Sequence, residues 1–595
     1  MTHAHGLRSH EHARERRDDL NAILARLLGA ESAGELLPRL LSDIDRARSA
    51  LPLARSKGFD EHDSILITYP DMVREPGKAP LQSLFEFCEA HLAEAISCVH
   101  ILPFYPASSD DGFSVVDYRS VDPAYGTWDD IGRFHRRFRL MFDAVFNHVS
   151  VRSEEFQGFL RGVPGLGDYF IIVPEGTDLS PVVRPRALPL LTPFDTPSGR
   201  ALVWTTFSAD QVDLNYANPE VVAFTVETLL FYVQRGAGLI RLDAIAYIWK
   251  QLGTPCIHLP QAHQLVRLFR AVLDAAAPHV ALVTETNVPH EDNVSYFGDG
   301  SNEAQLVYNF ALPPLALYTL LTGNAEALSR WAASLLTPSP RTSFLNFLAS
   351  HDGIGVGPAR GLLSETQIQV LIDRTRERGG LVSYTSGLKG EESPYELNIS
   401  LWDVLADPGT GEARETSIRR FLAAHAIMLA LRGVPALYFH SLFGSTGWPE
   451  GTILSGSKRA TNRRKCDRTA LEGELRDVLS RRARVLAGMK TLLAARGSSG
   501  CFHPQGGQRV LDAGPGVFAV VRTAANERER MLCLQNVSGA SQCVQLDFNE
   551  IYDYRTHGVQ DILSGVRLAR MDSEGIALAP YETAWLRIVP KEGER

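Results

Sequence analysis

No apolar run in this chain of 595 residues approaches the roughly 20 residues of a membrane span; the longest are strand-sized or broken by charges. Residues 1–17 are rich in His and Arg and have no apolar centre, so no secretory leader is expected and the cytoplasm is the expected compartment. Cysteine is scarce. The seven residues, Cys88, Cys98, Cys256, Cys466, Cys501, Cys533 and Cys543, are odd in number and form no C-x-x-C pair. That pattern argues against a disulfide framework and a zinc cluster, and fits a reducing environment. Basic charge is not in surplus either: the formal net charge is −9, which counts against a general affinity for nucleic acid or anionic membranes. No internal repeat or long low-complexity segment is visible.

What is present is an ordinary globular composition, 45% apolar and 22% charged, in a chain too long for one compact core. Residues 1–62 read as a helical extension, with Leu20, Ile23, Leu24, Leu27 and Leu28 at helical spacing. Strand-like runs then recur at 64–69, 98–104, 140–146, 239–244, 280–285, 306–308, 344–348 and 434–439. Helix-length segments, such as 219–235 and 261–276, separate several of them. Eight strands alternating with helices predict an α/β fold, a (β/α)8 TIM barrel over 63–496. A doubly wound open sheet is the alternative, but no glycine-rich dinucleotide fingerprint supports it. Two intervals exceed ordinary loops: 150–212 after the third strand and 353–412 after the seventh. From 497 to 595 short alternating segments predict a C-terminal β-domain.

Three of the strand-like runs lead into an acid: Asp243, Glu285 and Asp352. The carboxyl ends of barrel strands are where such a fold builds its site. Glycosidic bonds break through a cationic, sugar-like transition state served by paired carboxyls. Arg241 and Asp243 are two apart on one strand and so share a face, where the cation is expected to keep the carboxylate ionised and nucleophilic. Glu285 is the complementary acid, which partial burial would keep protonated. Taken singly, Arg241 with Asp243, or His351 with Asp352, reads more readily as a structural ion pair or cap than as catalytic. Convergence at one barrel end is what shifts the reading to catalysis. Asp110, in a turn after the second strand, and His148, after the third, gain weight from the same placement.

Segments 143–148 and 238–243, with Glu285 and His351-Asp352, resemble the α-amylase superfamily, glycoside hydrolase family 13, and within it the sucrose phosphorylase group. The likeness runs over roughly residues 60–590, and segments 66–69, 101–106, 109–113, 285–290 and 393–398 are most similar to the glucosylglycerate phosphorylases of that group. The resemblance implies a retaining double displacement in which Asp243 forms a β-glucosyl ester, Glu285 protonates the departing acceptor and phosphate then yields α-glucose 1-phosphate. It implies that Asp352 stabilises the transition state and that Asp110, His148, Arg241, His351 and Arg463 complete the glucose pocket. Phe113 and Phe207 match its aromatic walls, and Tyr247 a position near phosphate.

The acceptor end is less determined. Sucrose 6-phosphate, sucrose and glucosylglycerol phosphorylases share the implied glucose pocket and are the near alternatives; a hydrolase or a non-catalytic barrel is more remote. Lys389, Arg374 and Arg376, in or beside segment 379–398, are candidates to attract phosphate or a glycerate carboxylate, though such charges usually sit on solvated faces. The 150–212 insert, including Arg184-Pro185-Arg186, has no dense carboxylate cluster for calcium, so no metal and no cofactor are expected beyond phosphate as co-substrate. Expected partners are a small glucoside and phosphate, without nucleic acid or membrane; the resemblance also allows a homodimer.

Overall fold

The computed structural model describes residues 16–51, 58–186, 188–386, 392–407, 409, 411–546, 551, 557–568 and 575–590. Eight parallel strands form a closed barrel: β1 (Ile65–Thr68), β2 (Cys98–Ile101), β3 (Arg139–Ala144), β4 (Ala237–Leu242), β5 (Ala281–Thr284), β6 (Leu306–Tyr308), β7 (Ser343–Asn346) and β8 (Val434–Tyr438). They pair in sequence order, with β8 closing on β1. The expected (β/α)8 barrel is therefore the fold. Every residue of β1, β2, β5, β6, β7 and β8 is buried. A parallel strand covered on both faces requires that, which is why these segments read as near-continuous apolar runs. Several observed strands stop short of the expected runs. The third ends at Ala144 rather than 146, because residues at the carboxyl end leave the ladder to build loops.

The helix α1 (Pro219–Gln234) begins where Asn218 accepts a hydrogen bond from the Glu220 N–H and Pro219 pre-sets the first turn. It packs on β4 from outside, and α2 (Pro260–Ala276) packs beside it in the helical shell. The N-terminal region is helical over 16–28 and Ala30–Ala50. Its Leu36, Leu37, Leu40, Ile44 and Ala47 are buried on the side packed against α1 and α2. Arg39 pins it there by ion pairs to Glu220 at 2.8 Å and Glu227 at 2.6 Å. The extension is thus an added layer on the helical shell.

The segment after β3 carries a helix (Glu154–Leu160), a hairpin (Leu191–Thr196 with Gly199–Trp204) and a short strand (Gln211–Asp213). That after β7 carries a helix (Glu365–Glu377) and a hairpin (Leu381–Ser386 with Glu392–Asn398), joined by Ile354–Gly355 in a three-stranded sheet. At the C-terminus a six-stranded antiparallel sheet packs against the barrel. Two buried arginines bridge the seam through backbone carbonyls. Arg522 donates to Ala430 O at 3.0 Å and His503 O at 2.9 Å; Arg496 donates to Gly433 O at 3.1 Å and Phe502 O at 3.2 Å. Among the described residues no helix is long and apolar enough to cross a membrane.

Candidate active site

Strand register fixes the floor. Asp143 on β3, Arg241 on β4 and Val283 on β5 stand abreast. The ladder runs one residue past the strand ends, with Asp243 N–H donating to Ala144 O at 3.2 Å and Glu285 N–H to Leu242 O at 3.1 Å. Asp243 and Glu285 therefore emerge side by side on neighbouring strands. Arg241 lies beneath them. Its Nη1 donates to Asp143 and, at 2.9 Å, to Asp243 Oδ1, while Nη2 stands 3.8 Å from Glu285 Oε1. His100 Nε2 closes the chain at 2.7 Å from Asp143 Oδ2. Beyond Asp243 the backbone turns through Ala244 in the left-handed region (φ 48°), which aims its N–H at Glu285 Oε2, 3.0 Å away.

Asp352 approaches from the loop after β7. Its Oδ1 takes Arg459 Nη1 at 2.7 Å and Arg463 Nη2 at 3.3 Å. Arg463 also donates from Nε to His351 O at 2.9 Å and pairs with Asp111 at 2.5 Å. Phe113 stacks on the His351 ring, centroids 4.9 Å apart and nearly parallel. Asp110 is held by Arg186 Nη2 at 3.0 Å, and the Arg186 guanidinium lies over Phe207.

These groups surround a cavity of about 420 Å³ at the carboxyl end of the barrel. Of the residues expected in the site, Asp110, Phe113, His148, Phe207, Asp243, Tyr247, Glu285, His351 and Asp352 line it. Arg241 and Arg463 sit below, almost wholly buried, and hold the carboxylates in place. His148 does not close the third barrel strand. It opens a separate short strand (His148–Ser150), where it opposes Asp213 and its Nε2 lies 2.9 Å from Phe113 O.

The charges balance differently from the sequence expectation that Arg241 lowers Asp243. Burial raises Asp243; Arg241 opposes this, and the carboxylates of Glu285, Asp143 and Asp352 add to the rise, so the net direction is upward. Arg241 falls short because it also answers Asp143, whose own carboxyl is brought down to about 2 by His100 and Arg241 against the effect of burial. Glu285 is raised too, chiefly by burial. The two side by side titrate as one system that retains a proton. Within it the 2.9 Å contact to Arg241 favours charge on Asp243 and the proton on Glu285. Asp352 moves the other way: burial would raise it, but Arg459 and Arg463 outweigh burial and hold it well below the usual carboxylate range. His351 is lowered to about 3 by burial and is neutral in the floor.

This arrangement offers a nucleophilic carboxylate, an adjacent acid and a third carboxylate whose charge two arginines favour, around one small cavity, and glycosyl transfer uses such carboxyls. Residues 94–353 match the model of the α-amylase catalytic domain. The glucosylglycerate phosphorylase of Allomeiothermus silvanus is 51% identical over 93% of this chain and 96% of its own length. That of Spirochaeta thermophila is 47% identical over 96% and 98%. The crystal structure of sucrose 6F-phosphate phosphorylase from Thermoanaerobacter thermosaccharolyticum superposes with a TM-score of 0.70 at 25% identity, covering 82% of this chain and 96% of that one. The chain belongs to the α-amylase family. Within that family it is an enzyme of the glycoside phosphorylase kind.

Sequence reading missed several residues of this α-amylase-family site. Arg459 pairs with Asp352 and takes both oxygens of Glu396, at 2.9 and 3.1 Å. Gln211 lies 3.1 Å from His148 Nε2, and Tyr384, Tyr395 and Asn287 line the far wall. Arg459 precedes the expected Arg463 by one turn, and that spacing was the available signal. Glu396 and Tyr384 had none, since only the pairing of the 381–398 hairpin brings them in. Of the cations weighed for phosphate, Arg374 donates to Asp407 at 3.3 Å and Arg376 to the Tyr384 hydroxyl at 2.6 Å, and neither lines the cavity. Lys389 lies outside the described residues. Among those residues no group of three or more His, Cys, Asp or Glu is placed to hold a metal ion.

Proposed function

We propose that the enzyme cleaves 2-O-α-glucosylglycerate with inorganic phosphate, with retention, through a covalent glucosyl-enzyme. The observation that carries the mechanism is the register that sets Asp243 beside Glu285 over a shared guanidinium. Paired strands are roughly 4.8 Å apart. Neighbours on strands at that spacing can bring their carboxyls within the ~5–5.5 Å of retaining glycosidases, short of the wider gap that admits a water in inverting ones. The substrate reading leans on the two glucosylglycerate phosphorylases, each similar to this chain over almost its whole length.

In the first half-reaction an Asp243 carboxylate oxygen bonds to the anomeric carbon as the glycosidic C–O bond breaks. Glu285 gives its proton to the departing glycerate oxygen. Asp352, kept ionised by Arg459 and Arg463, faces the positive charge that grows on the sugar ring. The neutral His351 and the Arg186-held Asp110 offer hydrogen bonds to glucose hydroxyls, and Phe113 forms an apolar wall. In the second half-reaction a phosphate oxygen attacks the same carbon, the ester bond to Asp243 breaks, and Glu285 regains a proton from phosphate. α-Glucose 1-phosphate is released.

The test is a donor panel with phosphate present, measuring glucose 1-phosphate and free glucose separately. Glucosylglycerate is expected to give the highest kcat/KM, at least about tenfold above sucrose, sucrose 6-phosphate and glucosylglycerol, a gap of about 1.4 kcal/mol. Highest efficiency on sucrose 6-phosphate would overturn the acceptor assignment, and free glucose as main product would overturn phosphorolysis.

A further inference from the structure

The cations at the cavity and its floor are not equivalent. Arg241 answers Asp143 and Asp243, Arg463 answers Asp111 and Asp352, Arg459 answers Asp352 and Glu396, and Arg186 answers Asp110. Lys458 also lines the cavity, yet its Nζ donates at 2.8 Å to the backbone oxygen of Val382. Among the described residues no carboxylate stands within ion-pairing reach of it. A backbone carbonyl takes one of its three N–H donors, and the rest of the exposed ammonium is open to a bound anion at the cavity rim.

Its position assigns that charge to one half of the cavity. Val382 belongs to the hairpin Leu381–Ser386/Glu392–Asn398. Asn287, two residues past the acid Glu285, donates to the Tyr395 hydroxyl of the same hairpin at 3.2 Å. The hairpin therefore roofs the Glu285 side, from which the acceptor departs, whereas Phe113 and His148 wall the opposite side, where glucose is read. Resting on the phosphorylase reading above, we propose that Lys458 is the anion receptor of the acceptor half. Its ammonium takes the glycerate carboxylate in the first half-reaction and phosphate in the second.

The residue type fits two ligands of different shape. A guanidinium fork matches one planar, bidentate partner, whereas an ammonium on a flexible stem is a point charge that can follow a trigonal carboxylate and then a tetrahedral phosphate. A cation without a carboxylate partner also sets specificity. A charged acceptor neutralises it, and a neutral one such as glycerol leaves it unanswered.

Lys458→Met removes the charge at nearly constant length, and Lys458→Arg keeps it. With α-glucosyl fluoride as donor, the KM for phosphate is expected to rise about tenfold or more in Lys458→Met, with kcat falling less than about threefold, as for a lost charge-assisted contact. In synthesis from glucose 1-phosphate the KM for glycerate is expected to rise similarly. The preference for glycerate over glycerol should shrink about tenfold, and Lys458→Arg should recover most of each effect. Unchanged KM values for both anions would overturn the proposal, and a change confined to one would overturn the shared receptor. The fluoride assay reports phosphate whatever the natural donor is. A wild-type enzyme inactive on glucosylglycerate would therefore refute the substrate reading without silencing this test.

Discussion

The floor of the cavity and its roof are built on different principles. The floor around Asp243 stands on barrel strands or one residue past them, in a hydrogen-bonded chain from His100 through Asp143 and Arg241 to Asp243 and Glu285. Asp143 and Arg241 are almost fully buried, and Asp243 is 12% exposed. The roof comes from a hairpin and a turn, Lys458–Asn462, in which Arg459 and the buried Glu396 answer each other while Lys458 is exposed at the rim. Burial makes the floor electrostatically demanding, since every charge there needs a partner. The roof tolerates an unanswered charge. The consequence is a division of labour in which the floor fixes how glucose is activated and the roof fixes what glucose is exchanged with.

The largest expected effect breaks the floor. Asp243→Asn should lower kcat by about 10⁴-fold or more with every donor, as expected when the group that forms the covalent intermediate is lost. The same variant should melt higher, by about 1–3 °C at neutral pH. Asp243 is raised in the folded state, so ionising it at neutral pH costs stability that an amide does not. A lower melting point would mean that the Arg241 contact outweighs that cost. Glu285→Gln should lose about 10²–10⁴-fold on glucosylglycerate, which needs its proton, and at least tenfold less on α-glucosyl fluoride, whose leaving group does not. Equal losses on both donors would remove the acid role.

The pH profile sharpens the same division. Because the Asp243–Glu285 pair is raised, its last proton leaves late, and kcat/KM on glucosylglycerate should fall as pH rises through that ionisation. With α-glucosyl fluoride in Glu285→Gln this basic limb should be gone. Asp352 is depressed, so its contribution is fully present above the ordinary carboxylate range and lost only in strong acid. Arg459→Met removes its 2.7 Å partner. That variant should shift the acid limb upward and lower kcat by about 10²-fold. Without the shift, Arg459 would be a packing residue and nothing more.

The floor was legible in the sequence because its physics leaves a pattern. A strand buried on both faces must be apolar throughout, so a terminal acid such as Asp243 or Glu285 stands out against it. The direction of the Asp243 shift was not legible, because Asp143 competes for Arg241 from a strand 98 residues away in sequence. The roof left no comparable trace. Glu396 and Arg459 are 63 residues apart, and hairpin register rather than periodicity brings them together. Sequence also could not rank the cations. Arg374 and Arg376 stand beside the hairpin much as Lys458 does, and only the fold separates a charge aimed into the cavity from one spent elsewhere.

That separation yields the smallest expected effect. Arg374 shares Asp407 with Arg378 on the outer side of the hairpin. Its partners are in place without substrate, and the residue does not reach the cavity. Arg374→Ala should therefore leave the KM for phosphate and for glycerate within about twofold and cost about 1 kcal/mol or less of stability, as for a partly exposed ion pair. Beside it, Lys458→Met should move both KM values and leave the melting point nearly still. If the two variants changed places, kinetic effect in Arg374→Ala and none in Lys458→Met, anion attraction would be a diffuse property of the basic rim rather than the work of one unanswered ammonium. Salt would then discriminate further, since a diffuse field weakens over the Debye length of about 8–10 Å near 0.1–0.15 M ionic strength, whereas a direct contact persists.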